Sequence, residues 1–253
     1  MKWIRTVVCA LGMLACVSLS AFAAEYGEPN ITTETTMKEL RENPSIKGSG
    51  YYTYCNEWIE GSTQYDDTPI EGYVSYAAAE DAAEGMNLVI ENYNKGVQIT
   101  WQVYTPEEIA ENPSLGMVQL YYFPGKEPGG KYALVVPGNG STMTSEMEEG
   151  GSAAYQLHEQ GYTVFVLRYR TWIDMGDNAP IQDLANAVKF ITAHAGQFGV
   201  QPENYALVGY SSGGQIAGLF GGKKLGYPNY GVPKPGALLL AYPINNFYET
   251  KPL

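Results

Sequence analysis

The chain has 253 residues, 27 acidic against 15 basic, with two histidines, three cysteines and a hydrophobic share of 45%. That share excludes disorder, and the length suits one domain, or one with an appendage, at about 150 residues per domain. A net charge of −12 without any run of Lys or Arg excludes nucleic acid as a partner, because phosphate binding needs a clustered basic surface.

Lys2 and Arg5 open the chain, residues 6–23 are almost wholly apolar or small, and Ala21-Phe22-Ala23 gives a small-x-small cleavage pattern ahead of Ala24. The expectation is a secretory signal peptide over 1–23. The mature protein would then be secreted or periplasmic, with no stable membrane insertion after cleavage. An uncleaved anchor is one alternative, and a lipoprotein joined through Cys16 after Met13-Leu14-Ala15 is another. Without residues 1–23 the chain carries 13 basic and 27 acidic residues, net −14, and Cys55 is its one cysteine. No internal disulfide and no cysteine-based zinc site follow from that. With His158 and His194 as the only imidazoles, a three-histidine metal site is excluded, and no metal or cofactor is expected.

Residues 24–96 read as an N-terminal extension rich in Tyr. Thr36 and Glu39 have capping-box spacing ahead of a short helix that should stop near Pro44. Tyr51 to Tyr76 carries Gly61, Asp66, Asp67, Pro69 and Gly72 as turn residues and no clear period, so it is expected to be irregular. From Ala78 to Lys95, Met86, Val89, Ile90 and Tyr93 fall at helical spacing, and Gly96 follows as a natural stop.

Residues 97–253 switch to alternating strands and helices. Val97, Ile99, Trp101 and Val103 alternate as in a strand, Thr105-Pro106-Glu107-Glu108 opens a short helix, and Met117 to Phe123 predicts a second strand. Strands are then predicted at Tyr132–Val136, Thr163–Tyr169, Tyr205–Gly209 and Gly236–Ile244, with helices at Ser145–Gln160, Ile181–Phe198 and Ser212–Leu225. Continuous apolar runs such as ALVV and TVFVL suit strands buried on both faces, so the class is α/β with a mainly parallel central sheet.

The sharpest motif is Gly209-Tyr210-Ser211-Ser212-Gly213, set between an apolar strand and a helix. This is the G-x-S-x-G nucleophile elbow: glycines at both flanks permit a crowded strand-to-helix turn that pushes the central Ser211 hydroxyl above the sheet. Ser212 would give its backbone N–H, at the positive end of the helix, to a developing oxyanion. Pro137-Gly138-Asn139-Gly140-Ser141, directly after the strand ending at Val136, offers small residues for the other half of an oxyanion hole.

With PGNGS, GYTVFVLRYR, Asp183 in the following helix, VGYSSGGQIAG and LLLAYPI in place, residues 97–253 resemble the α/β-hydrolase superfamily in its small esterase and carbohydrate-esterase-like branch. The resemblance implies an α/β-hydrolase sandwich and hydrolysis of carboxylic esters, carbohydrate-linked acyl groups among them, through an acyl-enzyme. It implies Ser211 as nucleophile and the N–H groups of Ser212, Asn139 and Gly140 as oxyanion donors; the substrate is a small-molecule or carbohydrate ester. Asn139 stands where the family has glycine. In the family an acid and then a histidine follow on two further strands, whereas here no His and only Glu249 follow Ser211, so the sheet is expected to lack its last two strands and the chain to be truncated. A catalytically incomplete fragment, or a carbohydrate-binding protein using the Tyr-rich extension, are the alternative functions.

Other candidates have structural readings. His158 and His194 sit near the ends of helices covering the sheet, away from the strand ends where nucleophile chemistry occurs. Asp183 suits the first turn of a helix, and Asp174 and Asp177 a solvated loop. The Tyr51–Tyr76 stretch suits cover for the sheet more than a substrate cleft.

Overall fold

The computed structural model describes residues 26–53, 63–138, 140, 144–171 and 178–244. The expected signal segment 1–23, Cys55, Asn139, Asp174, Asp177 and Glu249 lie outside them.

The N-terminal extension is helical. Thr36 caps α1 (Met37–Glu42) through the reciprocal box with Glu39. The helix stops just before Pro44, as expected, and Pro44 opens a second one, α2 (Pro44–Ser49), because its missing N–H is harmless at a first position and the Asn43 side chain accepts from the Ser45 and Ile46 amides. A short α3 (Ile70–Tyr73) breaks the stretch expected to be irregular, and α4 (Ala79–Asn94) follows with Gly96 just beyond it at φ +82°.

Among the described residues, six strands form one sheet in the order β1-β2-β4-β3-β5-β6. They are β1 (Thr100–Gln102), β2 (Gln119–Phe123), β3 (Tyr132–Val136), β4 (Thr163–Arg168), β5 (Ala206–Tyr210) and β6 (Ala237–Ala241). β4, β3, β5 and β6 run parallel, while β1 and β2 add on antiparallel at one edge. The strand foreseen over Val97–Val103 shrinks to three residues, followed by α5 (Pro106–Glu111) capped by Thr105 and a 3₁₀ turn at Pro113–Met117.

Helices cover both faces. On one, Met37, Leu40, Ile70, Met86, Val89 and Ile90 of the extension pack with Tyr121, Phe123, Val135, Val164 and Val166 of the strands, joined by α6 (Ser152–Glu159). On the other, α7 (Ala179–Ala193), α8 (Ala195–Phe198) and α9 (Ser211–Gly221) enclose Leu134, Phe165, Leu167 and Leu207. The chain therefore has a layered α/β fold, and the carboxyl ends of β3 and β5 meet at one rim. No helix among the described residues is long and apolar enough to cross a membrane.

Candidate active site

β5 runs straight into α9, and the junction residue Ser211 takes φ +49°. A non-glycine residue avoids the left-handed region, so this backbone is held there by its surroundings. The surroundings are tight: a Cβ on Gly209 would lie 2.7 Å from the Gly213 carbonyl oxygen, and one on Gly213 would lie 2.1 Å from that of Val136. The first turn of α9 thus rests on the end of β3, which is what the two motif glycines allow.

Beyond β3 the chain stays close. A Cβ on Gly138 would stand 2.7 Å from Ser211 Cβ and 3.1 Å from the Ser212 nitrogen. Both backbone groups of Gly138 are occupied: its N–H donates to Glu149 Oε2 at 2.5 Å and its carbonyl accepts from the Ser145 N–H at 3.0 Å. Tyr169 donates its hydroxyl to the neighbouring Pro137 carbonyl at 2.7 Å. Gly138 is therefore an anchor, and Gly140 stands two residues on at φ +64°. Ser212 is buried at the head of α9.

Ser211 opens into a cleft of about 310 Å³ lined also by Tyr76, Gly140, Ser145, Glu148, Glu149 and Tyr242. Sequence reasoning found Ser211 and Gly140 there but missed the glutamates and the two tyrosines. The helix expected over Ser145–Gln160 begins instead as a π-helical turn at Glu146–Gly151, with the Ser145 carbonyl accepting from both the Glu149 and Gly150 amides. Such turns cluster at functional sites. Glu146, Glu148 and Glu149 are all buried. Glu148 Oε1 accepts the Ser75 and Tyr76 amides at 2.5 Å each, and Glu149 Oε1 accepts the Tyr242 hydroxyl at 2.8 Å. Burial raises the Glu149 carboxyl above its ordinary range, while the Gly138 N–H and the Tyr242 hydroxyl pull the other way. Burial likewise pushes Glu146 up to about 7, opposed by Arg168 at 3.8 Å and by the Thr144 hydroxyl.

Neither histidine lines the cleft. His194 stacks on Phe190 with ring centroids 4.2 Å apart and its Nδ1 lies 2.8 Å from the Phe190 carbonyl oxygen. His158 sits half-buried on α6, and burial lowers its pKa. Asp183 is structural, as expected, but for a different reason. It lies in the second turn of α7, fully buried, where Arg170 Nη2 and the Tyr104 hydroxyl donate to its Oδ1 at 2.7 Å each. The ion pair, not the helix terminus, accommodates its charge.

Residues 120–226 match the family BD-FAE. Endo-1,4-beta-xylanase B of Butyrivibrio fibrisolvens is 31% identical over 247 residues, covering 88% of this chain and 38% of that protein. Acetylxylan esterase of Xylanibacter ruminicola is 28% identical over 153 residues, 60% of this chain and 30% of that protein. The chain thus spans well under half the length of either curated relative. Among solved structures, the acetyl ester-xyloside bifunctional hydrolase from Caldicellulosiruptor lactoaceticus aligns with a TM-score of 0.49 and 24% identity, over 59% of this chain and 58% of that one.

Proposed function

We propose that the chain is an exported serine hydrolase of carboxylic esters, including acyl groups carried on plant carbohydrate, a reading supported by the match of residues 120–226 to the family BD-FAE. Ser211 Oγ attacks the ester carbonyl carbon and yields its proton to a base, and the carbonyl oxygen becomes an oxyanion stabilised by the N–H groups of Ser212 and Gly140. The C–O bond to the alcohol breaks, the alcohol departs with a proton, and water then releases the acyl group from Ser211 as the acid. The observation that carries this reading is the φ of +49° at Ser211, in a strand-to-helix turn packed against Gly138 and open to the cleft. The names of the curated relatives support a xylan-derived ester as substrate, and the leader-like residues 1–23 support export.

The position of the histidines favours a second reading of the rate: with neither His158 nor His194 at the cleft, the chain binds and activates esters weakly by itself. An alkyl fluorophosphonate, which modifies an activated serine whatever its substrate, tests the nucleophile. Labelling that disappears with Ser211→Ala supports the assignment; labelling that persists in that variant overturns it.

A further inference from the structure

We infer that Tyr76 and Tyr242 form a two-sided aromatic rim that holds a ring of the ester substrate beside Ser211, and that Glu148 and Glu149 set the two side chains in place. The inference rests on the reading of Ser211 as nucleophile, since it is that residue that gives the cleft its chemistry. The Tyr-rich extension divides sharply. Tyr51 and Tyr73 are buried against the sheet, whereas Tyr76 is 72% exposed on the wall of the cleft. Tyr242, 52% exposed, stands on the same cleft from the loop after β6. Exposed aromatic surface is unfavourable in water, at about 25 cal/mol per Å², until something covers it.

Both tyrosines are tied to the same π-helical turn. Glu148 Oε1 takes the two consecutive amides of Ser75 and Tyr76, which fixes the backbone from which the Tyr76 ring projects. Glu149 takes the Tyr242 hydroxyl on one oxygen and the Gly138 N–H on the other, which links that ring to the loop beside Ser211. Glu148 and Glu149, adjacent in this turn, thus reach different partners. Two tyrosine rings and a cavity of about 310 Å³ fit an ester with one ring next to its acyl group. The ring is a pyranose, stacking through its C–H bonds, or an aryl group, stacking through its π face.

The test is calorimetric titration of the full chain with xylotetraose and, separately, with 4-nitrophenol. Binding of either probe, weakened about tenfold in Tyr76→Ala and restored in Tyr76→Trp, establishes the rim, and the probe that binds identifies the ring. Because the Tyr76 side chain is exposed, a thermal melt like that of the unaltered protein accompanies this result. Failure of both probes to bind, or Tyr76→Ala binding as tightly as the unaltered chain, overturns it. Alkyl fluorophosphonate labelling of the unaltered chain reads the nucleophile independently. Ring binding without labelling removes the serine and leaves the rim; labelling without ring binding removes the rim alone.

Discussion

Gly138 is pressed against Ser211 so closely that a methyl group on it would meet Ser211 Cβ at 2.7 Å and the Tyr210 carbonyl oxygen at the same distance. Real Cβ atoms do not approach so near, and two of the three nearest atoms belong to backbone that cannot swing away. Gly138→Ala therefore has to separate the end of β3 from the elbow. Overpacking of this kind costs about 1–3 kcal/mol, and here the displacement falls on the faces proposed to form the oxyanion site. The expected outcome is a melting temperature lower by several degrees together with a fluorophosphonate labelling rate down at least tenfold. Unchanged labelling in a folded Gly138→Ala protein would show that the two loops do not act together.

The pH dependence of stability should bear the mark of Glu146. Burial holds its carboxyl at about 7 in the folded chain, against 4.5 for the free group. The folded state thus retains a proton that the unfolded state releases, so this contribution to stability is complete below about 4.5 and is lost as pH rises through 7, a change of about 3 kcal/mol. Glu149 is shifted in the same sense. His158, lowered by burial, works the other way, gaining stability for the fold as pH rises through its unfolded value. Glu146→Gln separates these, since the amide keeps an acceptor for the Thr144 hydroxyl. Thermal melts at pH 5 and pH 8 should show the unaltered chain less stable at the higher pH and the variant with a smaller difference; equal differences would remove Glu146 as the cause.

What was legible in the sequence, and what was not, divides by range. The elbow at Gly209–Gly213 can be read locally because a strand running straight into a helix has few solutions, and each of them needs glycines where Gly209 and Gly213 stand. β3 and β5 were likewise clear, being continuous apolar runs between turns. The buried glutamates were not. Glu146, Glu148 and Glu149 look like the solvated first turn of a helix, and their burial depends on partners far along the chain: Arg168, the amides of Ser75 and Tyr76, and Gly138. Tyr76 was lost in the same way, since nothing in the run Tyr51–Tyr76 distinguishes the tyrosines that cover the sheet from the one that reaches the cleft. Pro44 marked the end of α1 correctly but hid α2, because a proline that stops one helix also starts another.

Asp183 accepts from Arg170 and Tyr104 where water is excluded, so removing its carboxylate leaves a guanidinium that is 8% exposed without its counter-charge. Breaking one side of a buried pair costs about 3–5 kcal/mol. Asp183→Ala is therefore expected to lower the urea midpoint strongly, with Asp183→Asn intermediate because the amide oxygen still accepts. Should Asp183→Ala unfold at the same urea concentration as the unaltered chain, the pair contributes nothing net, and the position is free for another purpose.

The last expectation concerns turnover by the 253-residue chain itself. A serine hydroxyl needs a base within about 3 Å of its proton to react at an enzyme's rate. The cleft presents Glu148 and Glu149, but their carboxylates already accept from Ser75, Tyr76, Gly138 and Tyr242, and neither His158 nor His194 lines it. Oxyanion donors and binding without the base leave a residual acceleration of roughly 10³–10⁴ over water. Hydrolysis of p-nitrophenyl acetate by purified residues 24–253 should accordingly be slow and should vanish with Ser211→Ala. A turnover number on the order of 10 per second would mean that a histidine reaches Ser211 after all. Substituting His158 and His194 in turn would then identify it, and retention of the full rate in both variants would exclude a histidine of this or a second copy and place the base on a carboxylate of the π-helical turn.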